Sequence, residues 1–165
     1  SPSLTAWPIS TKDWEPGAPF YLPDNDTIIF QAWRESEFGK VTPTPMTVFT
    51  IKADGTGLTQ RTFDRDMTWG PGPAADGRHY IFTRIIDGNN HELFLGDLAG
   101  GPPRRLTWNP GFDGMKSFSR DSSKMVFVRM AESTRWIRWP SGRRKWTRLV
   151  ATAPMPRREA RRARR

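Results

Sequence analysis

Trp69-Gly70-Pro71-Gly72-Pro73-Ala74-Ala75-Asp76-Gly77-Arg78-His79-Tyr80-Ile81-Phe82, continuing to Glu92-Leu93-Phe94-Leu95 and Arg104-Arg105-Leu106-Thr107, is the stretch on which the fold turns. Three apolar runs are separated by glycine-bearing turns. Tyr80-Ile81-Phe82 leads into Asp87-Gly88-Asn89-Asn90, and Leu93-Phe94-Leu95 leads into Ala99-Gly100-Gly101. Asp, Asn and Gly accept the positive backbone angles that short hairpin turns between twisted strands require. The stretch therefore predicts a small antiparallel sheet of about four strands.

The unit recurs. Phe49, Gly55, Thr62, Asp76 and Phe82 stand 45 residues before Phe94, Gly100, Thr107, Asp121 and Phe127. The pairs match in role: strand aromatic, turn glycine, strand-end threonine, turn aspartate, second strand aromatic. An earlier copy ends in Asp24-Asn25-Asp26-Thr27-Ile28-Ile29-Phe30, with Phe30 lying 52 residues before Phe82. The extra residues fall between 34 and 45, where Pro43 and Pro45 keep the chain out of a central strand. A four-stranded unit of about 45 residues is the period of a propeller blade. Ile28-Ile29-Phe30, Tyr80-Ile81-Phe82 and Met125-Val126-Phe127 are continuous rather than alternating, as expected of strands covered on both faces by stacked blades. The predicted fold is all-β: a partial β-propeller of about three four-stranded antiparallel blades, with a basic C-terminal tail. A single sandwich or barrel ranks second.

Charge divides the chain. Residues 1–130 carry 14 Lys+Arg and 15 Asp+Glu, whereas residues 131–165 carry 12 Lys+Arg and 2 Glu, so the net +9 is a C-terminal property. Residues 1–19 read as a lead-in or the remnant of a preceding blade, Leu4-Thr5-Ala6-Trp7 echoing Leu106-Thr107-Trp108. Residues 20–130 read as the blades, the first inner strand lying near Phe20-Tyr21-Leu22. Residues 131–165 have two readings. Trp136-Ile137-Arg138-Trp139 and Trp146-Thr147-Arg148-Leu149-Val150 complete blade three as its outer strands, or the segment is foreign or frame-shifted. A solvated tail follows residue 153 on either reading.

The pattern Ser119-Arg120-Asp121 followed by Met125-Val126-Phe127 resembles the Ser-Pro-Asp-Gly…Ile-Ala-Phe signature of TolB-type propeller repeats, relatives of the tryptophan-aspartate blades. Asp54-Gly55-Thr56-Gly57-Leu58-Thr59 and Arg104-Arg105-Leu106-Thr107 are similar to that family's Asp-Gly-x-Gly…Leu-Thr segment. The departures are specific. Ala75 and Arg120 replace the signature proline that Pro23 keeps, and Asn25 and Ser122 replace its glycine. The resemblance implies a six-bladed parent preceded by a small α/β domain. Three blades alone leave open edges through which copies can associate.

Chemistry is sparse in the sequence. There is no Gly-x-Ser-x-Gly elbow and no glycine-rich nucleotide motif, and there is no cysteine for a thiolate site. His79 and His91 are expected as exposed strand-end residues. Asp24-Asn25-Asp26 and Asp87-Gly88-Asn89-Asn90 lack the spaced ligands of a calcium loop and read as turns. No catalytic, metal or cofactor residues are therefore assigned. There is no apolar run long enough to span a membrane, and no signal-peptide pattern is visible.

Propeller function resides in loops around the axis, here those leading into the inner strands at Arg65-Asp66-Met67-Thr68-Trp69 and Pro110-Gly111-Phe112-Asp113-Gly114. Trp69, Phe112 and Asp113 are the candidate partner contacts. The first expectation is a non-catalytic scaffold for protein–protein interaction, which the TolB resemblance would place in the bacterial cell envelope, periplasmic or secreted. The second is the gating propeller of a prolyl-oligopeptidase-type serine peptidase. Nucleic-acid binding through the Arg-rich tail ranks third, because the blade region is slightly acidic.

Overall fold

A computed structural model describes residues 14–132 and 146–154, with side chains over 14–130. Blade one holds β1 (Trp14–Tyr21), β2 (Thr27–Arg34), β3 (Met46–Lys52) and β4 (Thr59–Gln60). Blade two holds β5 (Thr68–Pro73), β6 (His79–Ile86), β7 (Asn90–Asp97) and β8 (Arg104–Arg105). Blade three holds β9 (Phe112–Phe118), β10 (Lys124–Glu132) and β11 (Trp146–Pro154). Within each blade, successive strands pair antiparallel. Adjacent blades touch edge to edge at two parallel bridges, Met46 with Met67 and His91 with Phe112. These bridges are the same contact one repeat apart.

The strands alternate in which neighbour they face. On blade two, Tyr80, Phe82 and Phe94 pack against Leu22, Ile29 and Val48 of blade one. Ile81, Leu93 and Leu95, from the same two strands, pack against Met125 and Phe127 of blade three. Both faces are thus core, which explains why seven of the eight β6 residues are buried. Burying a large apolar side chain contributes about 1.5–3 kcal/mol, so the two seams are the main stabilising element of the body. Phe82 and Phe94, neighbours on β6 and β7, stack at 5.7 Å on the face turned to the first seam. Gly96 is obligatory there, because a Cβ on it would lie 2.3 Å from the Tyr80 ring.

Two backbone devices repeat in all three blades. Each inner strand is broken by a register shift, and the residue at its centre is left-handed: Ala18 (φ 48), Gly70 (φ 59) and Met115 (φ 48). Each turn from inner to second strand closes on another such residue: Asn25 (φ 55), Gly77 (φ 66) and Ser122 (φ 53). The Asn25 N–H donates to the Leu22 carbonyl at 3.0 Å, Gly77 to Ala74 at 3.2 Å, and Ser122 to Ser119 at 2.7 Å. The substitutions at Asn25 and Ser122 therefore leave the turn geometry intact. Ser122 also reaches the neighbouring turn, where its Oγ accepts the Ala75 N–H at 2.7 Å. That N–H exists only because residue 75 is not proline.

Two placements differ from the sequence reading. The inner strand of blade one starts at Trp14, ahead of the expected boundary at residue 20. Trp146–Pro154 is the immediate neighbour of β10, Trp146 standing opposite Glu132, so among the described residues it is the third strand of the blade and its outer edge. The sequence reading set Trp136-Ile137-Arg138-Trp139 ahead of it as an outer strand, whereas β11 pairs directly with β10. Residues 1–13, Trp136-Ile137-Arg138-Trp139 and residues 155–165 lie outside the described residues.

Candidate functional site

The leading ends of β5 and β9 bring Trp69, His91 and Phe112 together. Trp69 and Phe112 lie 5.9 Å apart, His91 and Phe112 5.0 Å, and Trp69 and His91 6.1 Å with rings nearly perpendicular. The bridge between blades fixes the cluster, with the His91 N–H donating to the Gly111 carbonyl at 2.8 Å. Phe112 lies over Gly114, where an added Cβ would come within 2.5 Å of the ring. Trp69 and Phe112 are half-buried, so each keeps some accessible surface. Trp69 Nε1 and His91 Nδ1 are buried without a hydrogen-bond partner. Burial lowers the pKa of His91, favouring its neutral form.

Asp113, the third expected contact, has no exposed surface. Its carboxylate holds Arg129 through two hydrogen bonds of 2.8 and 2.7 Å. It acts inside the blade, tying β9 to β10. Glu92 is equally buried; it accepts from Arg105 at 2.9 Å and from the Thr107 hydroxyl. A buried carboxylate is tolerated only when such partners replace water.

Beneath Trp69 lies a group that sequence reasoning did not single out. Lys116 Nζ donates to the Trp69 carbonyl and to Thr83 Oγ1, both at 3.0 Å, and sits 5.0 Å from the Trp69 ring centre. On the other side of the same peptide, the Gly70 N–H donates to Gln31 Oε1 of blade one. One peptide group is thus held by both neighbouring blades. The φ of 59 at Gly70 is one that Ala18 and Met115 also adopt at this repeat position, and a Cβ there would meet Lys116 Nζ at 2.9 Å, displacing the end of that side chain. Burial pushes the Lys116 pKa down to about 7. The repeat register offers one signal for this lysine: it stands 45 residues after Pro71 and matches nothing in blade two.

The histidines correct an expectation. His79 is buried, with Nδ1 2.6 Å from Asp76 Oδ2. Its backbone N–H donates to the same carboxylate at 2.9 Å. Burial raises the Asp76 pKa, but the bonds from His79 and Arg78 outweigh it and hold the carboxyl below its ordinary value. The pair staples its own turn. A histidine at a strand end can fold back onto a turn aspartate three residues away, which a linear count of neighbours does not reveal. The Asp24 carboxylate likewise accepts from Asp26 N, Thr27 N and Thr27 Oγ1, at 3.0, 2.8 and 2.6 Å, and so serves its turn. Among the described residues no group of three or more His, Cys, Asp or Glu could hold a metal ion.

Stacked antiparallel blades, each bridged from its third strand to the start of the next inner strand, define a β-propeller, here seen in part. The chain resembles TolB from Acinetobacter baumannii with a TM-score of 0.61 and 20% identity, covering 84% of this chain and 29% of that one. A protein described as TolB from Agrobacterium tumefaciens gives 0.60 and 20%, over 72% of this chain and 39% of that one. An acylaminoacyl peptidase from Pyrococcus horikoshii gives 0.57 and 13%, over 77% and 19%. These likenesses show a TolB-like propeller fold, and the chain spans well under half of each structure it matches. No family model and no curated protein matches the sequence.

Proposed function

We propose that this chain is a non-catalytic propeller scaffold that captures a protein partner at the funnel around its inner strands. The observation that carries the reading is the Trp69–His91–Phe112 cluster: half-buried aromatic side chains held rigidly across the seam between two blades. Aromatic residues fixed in this way anchor protein interfaces because little conformational entropy is lost on contact. Trp69 and Phe112 are the contacting residues, and Asp113 supports Phe112 by fixing β9 through Arg129. By resemblance to TolB the setting is the bacterial cell envelope, periplasmic or secreted. No helix among the described residues is long and apolar enough to cross a membrane, which says nothing of a β-barrel.

A photo-reactive side chain at position 112 of the full-length protein, in its host, tests the reading. It is expected to trap one discrete envelope protein, and Trp69→Ala is expected to abolish the trapping in a chain that still unfolds cooperatively, destabilised by about 1–3 kcal/mol because the half-buried indole packs on Phe112 and His91. Trapping that survives Trp69→Ala would refute the site. The gating reading draws support from the peptidase likeness. It predicts instead that the parent chain carries a hydrolase domain and that Phe112 variants change peptide turnover and not protein capture.

A further inference from the structure

The far ends of the three inner strands line an open cleft of about 440 Å³. Phe20 and Tyr21 of β1, Pro73 of β5 and Phe118 of β9 give it apolar walls. Phe20 and Tyr21 are 49% and 58% exposed, a large aromatic surface to leave open to water. The volume falls within the range of roughly 300–1,000 Å³ typical of small-molecule sites, which are apolar with a few placed polar groups.

The charge of the cleft is one-sided. Lys116 and Arg120 line it, and none of the described residues lining it is acidic. The blade region as a whole has no such bias, with 14 basic and 15 acidic side chains over residues 1–130. Arg120 is exposed and has no hydrogen-bond or ion-pair partner among the described residues. Lys116 lends the cleft its stem, its Nζ being engaged by the Trp69 carbonyl and the Thr83 hydroxyl. The turn itself does not need a cation at residue 120, because the corresponding turns close equally with Pro23 and Ala75.

We propose that this axial cleft binds a small organic anion, a carboxylate or phosphate carried on an aromatic or aliphatic body. Arg120 is its counter-charge, and Phe20, Tyr21 and Phe118 hold the body. The planar guanidinium fork of arginine matches both head groups, so the two share one binding mode.

Calorimetric titration of the whole chain with benzoate, phenyl phosphate, inorganic phosphate and benzyl alcohol tests the proposal. One or both aromatic anions are expected to bind in a single-site isotherm, at least about tenfold more tightly than benzyl alcohol. The tighter of benzoate and phenyl phosphate identifies the head group. Arg120→Ser, at an exposed and unbonded position, is expected to weaken the aromatic anions about tenfold with no change in the urea midpoint. Phe20→Ser is expected to weaken them while leaving inorganic phosphate unaffected. Equal binding of the anions by wild type and Arg120→Ser, equal binding of benzyl alcohol, or no heat at millimolar ligand would each overturn the proposal.

Discussion

Ala75 and Ser122 depart from the repeat signature together, and the structure makes them one unit. The Ala75 N–H points at Ser122 Oγ 2.7 Å away. Proline at 75 would put its ring Cδ where that proton lies, against the oxygen. Pro23, at the same turn position in blade one, shows that the backbone itself takes proline. Ala75→Pro alone is therefore expected to cost about 2–3 kcal/mol: about 1 for the lost bond, the rest from crowding the Oγ. Ser122→Gly alone loses the same bond but relieves about 1–2 kcal/mol of left-handed strain, and is expected to be near neutral. The double variant removes the crowding and the strain, and stiffens the unfolded chain. It is expected to be about 1 kcal/mol more stable than wild type. The coupling between the sites is then at least about 2 kcal/mol. Urea unfolding followed by tryptophan fluorescence measures all four forms. Single effects that simply add, within about 0.5 kcal/mol, would refute the reasoning.

Gly96→Ala is expected to destabilise by about 1–3 kcal/mol in thermal unfolding, because the Tyr80 ring already fills the space of a Cβ. Asp113→Asn is expected to cost about 2–3 kcal/mol by urea titration, as it leaves Arg129 half-buried without its counter-charge. Lys116 is depressed in the folded state to about 7, so the unfolded chain binds more protons between that value and its ordinary 10.5. Stability from this group is fully present above the unfolded value and is lost as pH falls towards 7. Tyr80, pushed up to about 12 by burial, acts in the opposite direction above pH 10. The stability of wild type relative to Lys116→Met is therefore expected to rise between pH 7 and 10, and a flat difference would contradict the assignment.

The blade pattern was legible because each of its signals is local. Asp87 (φ 48) and Gly88 (φ 80) take the positive angles that their hairpin position requires. The 45-residue spacing also places equivalent bonds: Thr62 Oγ1 accepts the Val48 N–H, and Thr107 Oγ1 the Leu93 N–H, each at 2.9 Å. The site was legible only in part. Trp69 and Phe112 come together as the loops leading into adjacent inner strands predict, whereas Asp113 turns inward. An aspartate beside an aromatic reads as a polar contact until its partner is known, and Arg129 is 16 residues away. Arg129 and Arg84 share a repeat position, but their carboxylates do not: Asp64 corresponds to Asn109 and Asp113 to Thr68, so comparing blades marks the arginine and not its partner. The repeat register marks Lys116 as an odd residue, standing where blade two has Pro71, but not its partners, because the bonds of Lys116 and Gln31 cross between blades.

The peptide joining Trp69 to Gly70 has its oxygen tied to Lys116 of one neighbour and its hydrogen to Gln31 of the other. In a linear array of repeats, end units can fray while the middle stays folded. Here, besides the two apolar seams, a single amide of the middle unit is bonded to both flanks, so loosening either flank changes the electron density of the bond to the opposite one. Melting should accordingly run through all three blades in one step. A ¹³C label at the Trp69 carbonyl would report it as a single infrared band shifting in concert with exchange of the Gly70 proton.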